Sequence, residues 1–172
     1  MAPRVAEHAA RQLLRDSGIT NAPTDLVSIT NYLNLVVTTE ALSSDVSGML
    51  LRGERSVIAV NSSQSTRRRR FTVAHEIGHF LLHKGVYIDK DTRVNHRDTR
   101  ASIGIDLDEV QANAFAAELL MPEPLLLREF SARVRKGAGS ETAIVDDLAE
   151  IFDVSRQAME IRLKVVGALA PF

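Results

Sequence analysis

Apolar residues recur along the chain at two spacings, and the switch between them divides it into helices and strands. Val5, Ala9 and Leu13 run beside Ala6, Ala10 and Leu14 as adjacent stripes at helical spacing, which predicts a helix over residues 4–17 ended by Gly18. Ala22-Pro23-Thr24-Asp25 reads as a turn with an N-cap, and Leu26, Ile29 and Leu33 mark a second short helix. The pattern then becomes β-branched. Residues 35–39, 47–51 and 56–60 read as short strands, with Arg52-Gly53-Glu54 as the hairpin turn between the last two. Polar residues 61–65 lead into a long helix over 66–84, stopped by Gly85.

Residues 86–105 show no helical period and are expected to form a loop, with room for one short strand. Asp106 and Asp108 suit the start of a further helix that runs to Met121 and is closed by Pro122. Shorter helices are expected over 124–133, 142–152 and 155–166, with residues 135–140 as a linker. Three strands and about seven helices make an α+β fold: a small, mainly antiparallel three-stranded sheet with a helical core. At 172 residues the chain suffices for one domain and is short for two. A single domain, 1–172, is therefore expected. Residues 1–65 would carry the first helices and the sheet, 66–134 the two long helices, and 135–172 a C-terminal helical segment.

Composition narrows the chemistry. The formal net charge is −1, so no overall field draws the chain to nucleic acid or an anionic membrane. There are no cysteines, which excludes a thiolate metal site and fits a reducing compartment. No apolar run approaches the roughly 20 residues of a membrane span, and the N-terminus lacks a signal-peptide core. A cytoplasmic protein is expected.

His75-Glu76-Ile77-Gly78-His79 matches the pattern His-Glu-x-x-His. Histidines at i and i+4 share one helix face, about 6 Å apart along the axis, so both imidazoles can reach one ion. Glu76 sits about 100° round from His75, beside such an ion instead of on it. There its carboxylate can serve as general base toward an activated water. Phe71, Ala74, Gly78 and Leu81 share the opposite side and are expected to face the core, Gly78 allowing a neighbour to approach closely.

A catalytic zinc usually takes three protein ligands. Leu82 and Gly85 stand where a third-histidine pattern would need Gly and His, so a carboxylate from the next helix is required. Glu109 and Glu118 compete, and about half a turn separates their directions. Glu109 shares its face with Ala112, Asn113 and Ala116. The alanines permit close packing, and Asn113 could hydrogen-bond a ligand histidine from outside. Glu109 is favoured, and Glu118 is expected to face solvent.

Residues 70–79 together with 109–122 resemble the ImmA/IrrE family of metallo-endopeptidases. The likeness extends to residues 22–26, 48–50, 58–61, 152–155 and 162–163, nearly the whole chain. It implies a zinc site of His75, His79 and Glu109 with Glu76 as base; manganese also suits such donors. It implies a protein substrate as well, a helix-turn-helix repressor of the Xre type, whose cleavage would switch on genes. The length after Pro122 suggests the short, stand-alone form.

Other features have blander readings. His83 extends the histidine series, but it lies about 12 Å from His75 along the axis and is read as structural. Tyr32, Tyr87, His83 and His96 are the candidates to stabilise an oxyanion. Arg67 to Arg70 read as a solvated face, with an acidic substrate patch or nucleic acid as the alternative partner. Residues 148–159 resemble a DNA-binding helix-turn-helix, which raises the rival of a DNA-binding or non-proteolytic regulator. Yet residues 141–164 carry six acidic and three basic side chains, the wrong balance for phosphate contact.

Overall fold

The computed structural model describes residues 2–85, 87–90, 101–137 and 139–170. In chain order the elements are α1 (Ala2–Asp16), α2 (Leu26–Tyr32), β1 (Val36–Glu40), β2 (Val46–Leu51), β3 (Val57–Asn61), α3 (Thr66–Leu82), β4 (Tyr87–Lys90), α4 (Ala101–Leu120), α5 (Glu123–Arg135), α6 (Glu141–Phe152) and α7 (Arg156–Val165). The fold is α+β, as the patterning implies. The sheet order is β1-β3-β2-β4, with β1 parallel to β3 and the other pairs antiparallel. The short β4 therefore adds a fourth strand to the three expected. Among the described strands β2 and β3 are interior, and the edges are β1 and β4.

Helix boundaries follow local chemistry. The Asp25 carboxylate accepts from the backbone N–H groups of Val27 and Ser28 and starts α2. Ser65, Ser140 and Ser155 cap α3, α6 and α7 in the same way. Helix α6 ends on Asp153 in the left-handed conformation, which a short polar side chain tolerates. Helix α3 stops at Leu82, two residues early, because Arg52 from the β2–β3 turn takes its last carbonyls. Its guanidinium donates to the backbone oxygens of His79 (2.9 Å), Phe80 (3.0 Å), His83 (2.8 Å) and Gly85 (2.7 Å). A cation there also opposes the negative end of the helix dipole.

Helix α4 packs between α1 and α3, and α3 in turn lies on β2 and β3. Leu50, Ile58, Ile77, Phe115, Leu119 and Phe152 belong to one core that joins these layers. Two glycines set the approach distances. A Cβ on Gly78 would stand 3.2 Å from Ala112 Cα and 3.2 Å from Phe115 Cδ1, so α3 and α4 touch backbone to backbone there. A Cβ on Gly48 would collide with Thr72 Cγ2 and stand 3.1 Å from the Ala59 carbonyl oxygen. Leu81, expected to share the buried side, is instead 41% exposed.

Gly48→Ala is expected to destabilise the fold by about 1–3 kcal/mol, since Thr72 is buried, β-branched and unable to swing away. Thr72→Ser in the same chain removes the colliding methyl and should restore part of the loss. Chemical denaturation of the two single variants and the double variant checks this, and strict additivity would contradict it.

Candidate metal centre

Helix α3 presents His75 and His79 one turn apart on a buried stretch that runs from Thr72 to His79. Helix α4, held close by Gly78, brings Glu109 against them. His75 Nε2 and His79 Nε2 are 2.9 Å apart; Glu109 Oε2 is 3.1 Å from the first, and Oε1 is 3.3 Å from the second. Three donors about 2.1 Å from a tetrahedral zinc would lie about 3.4 Å from one another. The triangle is thus close to three corners of such a shell, and the donor set of two imidazoles and a carboxylate suits a divalent cation.

The outer nitrogens of both imidazoles are engaged, which turns the inner ones toward the common point. His75 Nδ1–H donates to Asn113 Oδ1 at 3.1 Å, the contact expected of Asn113. His79 Nδ1 meets His83 Nδ1 at 2.9 Å. Burial holds the His79 imidazole below the usual histidine range, so it is neutral and able to offer a lone pair. Burial alone would raise the Glu109 carboxyl, but its close contacts with His75 and His79 outweigh it and bring the value down to about 2. Glu109 is therefore an anion across the physiological range.

Glu76 is fully buried and faces the sheet, its Oε1 3.6 Å from where a Cβ of Gly48 would sit. The absent side chain on β2 leaves room beside the carboxylate. Of the oxyanion candidates, Tyr32 is 57% exposed on α2. His83 has both ring nitrogens occupied, Nδ1 by His79 and Nε2 by Gln111 Oε1 at 3.1 Å, with Asp108 at 3.4 Å. The side chain of Tyr87, and His96 altogether, lie outside the described residues.

Two expectations are corrected. Glu118 does point away from Glu109, but into the protein. It is fully buried, paired with Arg162 and with Arg11 Nε at 2.7 Å. The reason is that α4 has a second neighbour, α1, on the side that would otherwise be wet. The arginine run is not simply a solvated face either. Arg67 pairs with Glu150 (3.1 Å) and Asp153 (3.3 Å). Arg70 pairs with Asp153 (3.1 Å) and donates to the Thr24 carbonyl (3.0 Å). These arginines fasten the start of α3 to the α6–α7 turn. A mainly apolar cavity of about 530 Å³ lies between α1, α3, α4 and α7, with Asn113 in its wall.

The M78 peptidase family model, described as the IrrE N-terminal-like domain, matches residues 30–164. The chain therefore falls within a metallopeptidase family. More narrowly, the chain belongs to the ImmA/IrrE family. It is 31% identical to "Uncharacterized immunity region protein 2" of Bacillus phage phi105 over 153 residues, 83% of this chain and 90% of that protein. It is 38% identical over 73 residues to the radiation response metalloprotease IrrE of Deinococcus radiodurans, covering 42% of this chain and 21% of that one. In three dimensions it resembles a Mycobacterium tuberculosis transcriptional regulator, with a TM-score of 0.65 and 15% identity, over 94% of this chain and 46% of the other. That last likeness concerns the fold alone.

The two carboxylates of α4 should separate cleanly on mutation. Glu118→Ala leaves two arginine partners, one of them buried, and is expected to cost about 3–5 kcal/mol of stability. Glu109→Ala should cost little stability but lower zinc uptake sharply. Thermal unfolding and metal analysis of the two purified variants check this, and the opposite ranking would refute the assignment.

Proposed function

We propose that the protein is a zinc-dependent endopeptidase that cuts a helix-turn-helix repressor of the Xre type in the cytoplasm, and so relieves repression. The observation that carries the chemistry is the convergence of His75, His79 and Glu109, with Glu76 buried next to His75. In this reading His75, His79 and Glu109 hold the ion, Asn113 steadies His75, and Glu76 is the general base. A bound zinc would supply Lewis-acid polarisation of the peptide carbonyl and lower the pKa of the attacking water. Glu76 accepts the water's proton and returns it to the leaving amine. The sheet beside Glu76 and the carboxylate's full burial keep bulk water from competing for that proton.

The substrate class rests on the family, and the names of two relatives, an immunity region protein and a radiation response metalloprotease, are in keeping with control of a response. The rival reading, in which the C-terminal helices bind DNA, is disfavoured by where their cations go. Arg156 pairs with Asp146, Lys164 with Glu160, and Arg162 is buried against Glu118.

The pH response follows from the ligand set. His79 is held below 6.5, and Glu109, at about 2, stays ionised at any pH that leaves the fold intact. A lowered histidine pKa keeps the lone pair available as pH falls. Zinc should therefore remain bound below pH 6.5 and leave only on further acidification, as histidine protonates. A dye-based zinc-release titration checks this, and a midpoint above 6.5 would contradict it.

Glu76→Gln is the sharpest probe of mechanism. It preserves size and reach but removes the base. Zinc content should be unchanged while cleavage of the cognate repressor stops. The assay incubates candidate repressor with wild type or variant, with and without chelator, and identifies fragments by mass spectrometry. Undiminished cutting by the variant would sink the mechanism. Repressor inactivated by both proteins without any cut would identify a binding antagonist instead.

A further inference from the structure

His83 caps the C-terminal end of α3, four residues after His79, and its side chain is buried. Its contacts with Gln111 and His79 bear on which ring nitrogens of His83 and His79 carry a hydrogen. Gln111 Oε1 is an amide oxygen and can only accept, so His83 Nε2, 3.1 Å away, must carry the hydrogen. The Asp108 carboxylate at 3.4 Å favours the same placement. In a neutral imidazole with Nε2 protonated, Nδ1 is a bare acceptor. His79 Nδ1, 2.9 Å from it, must then be the donor. With its hydrogen on Nδ1, His79 has its lone pair on Nε2, the atom that faces His75 and Glu109.

We propose that His83 is a positioning residue for the metal centre: its Nδ1 accepts the Nδ1 hydrogen of His79, and so fixes the tautomer and aim of that ligand. The inference rests on the metallopeptidase reading given above. It extends the support of the site beyond Asn113, which does the same for His75. The outer end of the chain, Asp108 and Gln111, sits on α4 with Glu109. The helix that supplies the third donor thus also anchors the orientation of the second.

The test uses the full chain loaded with zinc. His83→Leu and His83→Asn are close in size, and both give up the contact with Gln111. Only the asparagine keeps an acceptor oxygen where Nδ1 stood. Zinc affinity, measured by competition with a chromogenic chelator, should fall about 10- to 100-fold in His83→Leu. It should stay within a few-fold of wild type in His83→Asn. A role in packing alone would move both variants equally, and that result, or unchanged affinity in His83→Leu, would overturn the proposal.

A second readout needs no variant, so it decides even if His83→Leu does not fold. Long-range proton–nitrogen correlation spectra of the zinc-loaded wild type should show His83 as the Nε2–H tautomer and His79 as Nδ1–H. His83 found as Nδ1–H would overturn the proposal while leaving the metallopeptidase reading intact. Wild type that takes up no zinc at all would overturn both.

Discussion

The contact between α3 and α4 at Gly78 is the constraint on which the site depends. Two histidines come from one helix and the carboxylate from the other, so the gap between backbones sets whether the three donors meet. Ala112 Cα and Phe115 both stand 3.2 Å from the place of a Gly78 Cβ, so a side chain there would need its neighbours to give by a few tenths of an ångström. A shift of a few tenths of an ångström is already comparable to the spread in the donor triangle, from 2.9 to 3.3 Å. Gly48 acts likewise on the far side of α3, where it lets the sheet rise against Thr72 and Glu76. The histidine helix is seated through a missing side chain on each side.

Close seating buries polar groups, and burial demands partners. On the site side the demand is met by side-chain hydrogen bonds, between Asn113 and His75 and from Gln111 through His83 to His79. On the other side it is met by charge, where Glu118 takes two arginines that arrive from α1 and α7. Arg162 also donates to the Met121 carbonyl, and Arg11 reaches Glu123 at the start of α5. The ion pairs thus tie α1, α5 and α7 to the helix that carries Glu109. Arg67 and Arg70 do the same for the start of α3, through Asp153. Such buried pairs add little net stability over apolar packing, but breaking one leaves an uncompensated charge.

What the sequence showed was whatever repeats locally. The i, i+4 histidines, the opposite phases of Glu109 and Glu118, the small residues at Gly78 and Ala112, and the serine and aspartate caps all lie within a turn or two of helix. What it hid depends on distant partners. Glu118 reads as a surface residue because its arginines stand 107 and 44 residues away. The arginine run reads as solvated because Asp153 is more than eighty residues on. Strand β4 spans four residues, too few for a period to register, and without it β2 passes for an edge. His83 was visible as a member of the series, but its role depends on Gln111 and Asp108 across the helix pair.

The two glutamates of α4 show how one residue type divides between support and chemistry. Glu118 faces guanidinium groups that cannot lose their charge, so its own is fully matched and it has nothing left to offer a cation. Glu109 faces two buried imidazoles instead of guanidinium groups, so no permanent cation cancels its charge. The surplus negative charge therefore falls at the point where three lone-pair donors converge. A divalent ion placed there would leave a local charge near +1, the sign that draws electrons from a peptide carbonyl. Exchange the partners of the two glutamates and the helix would keep its shape and its packing, but the cation site would be gone.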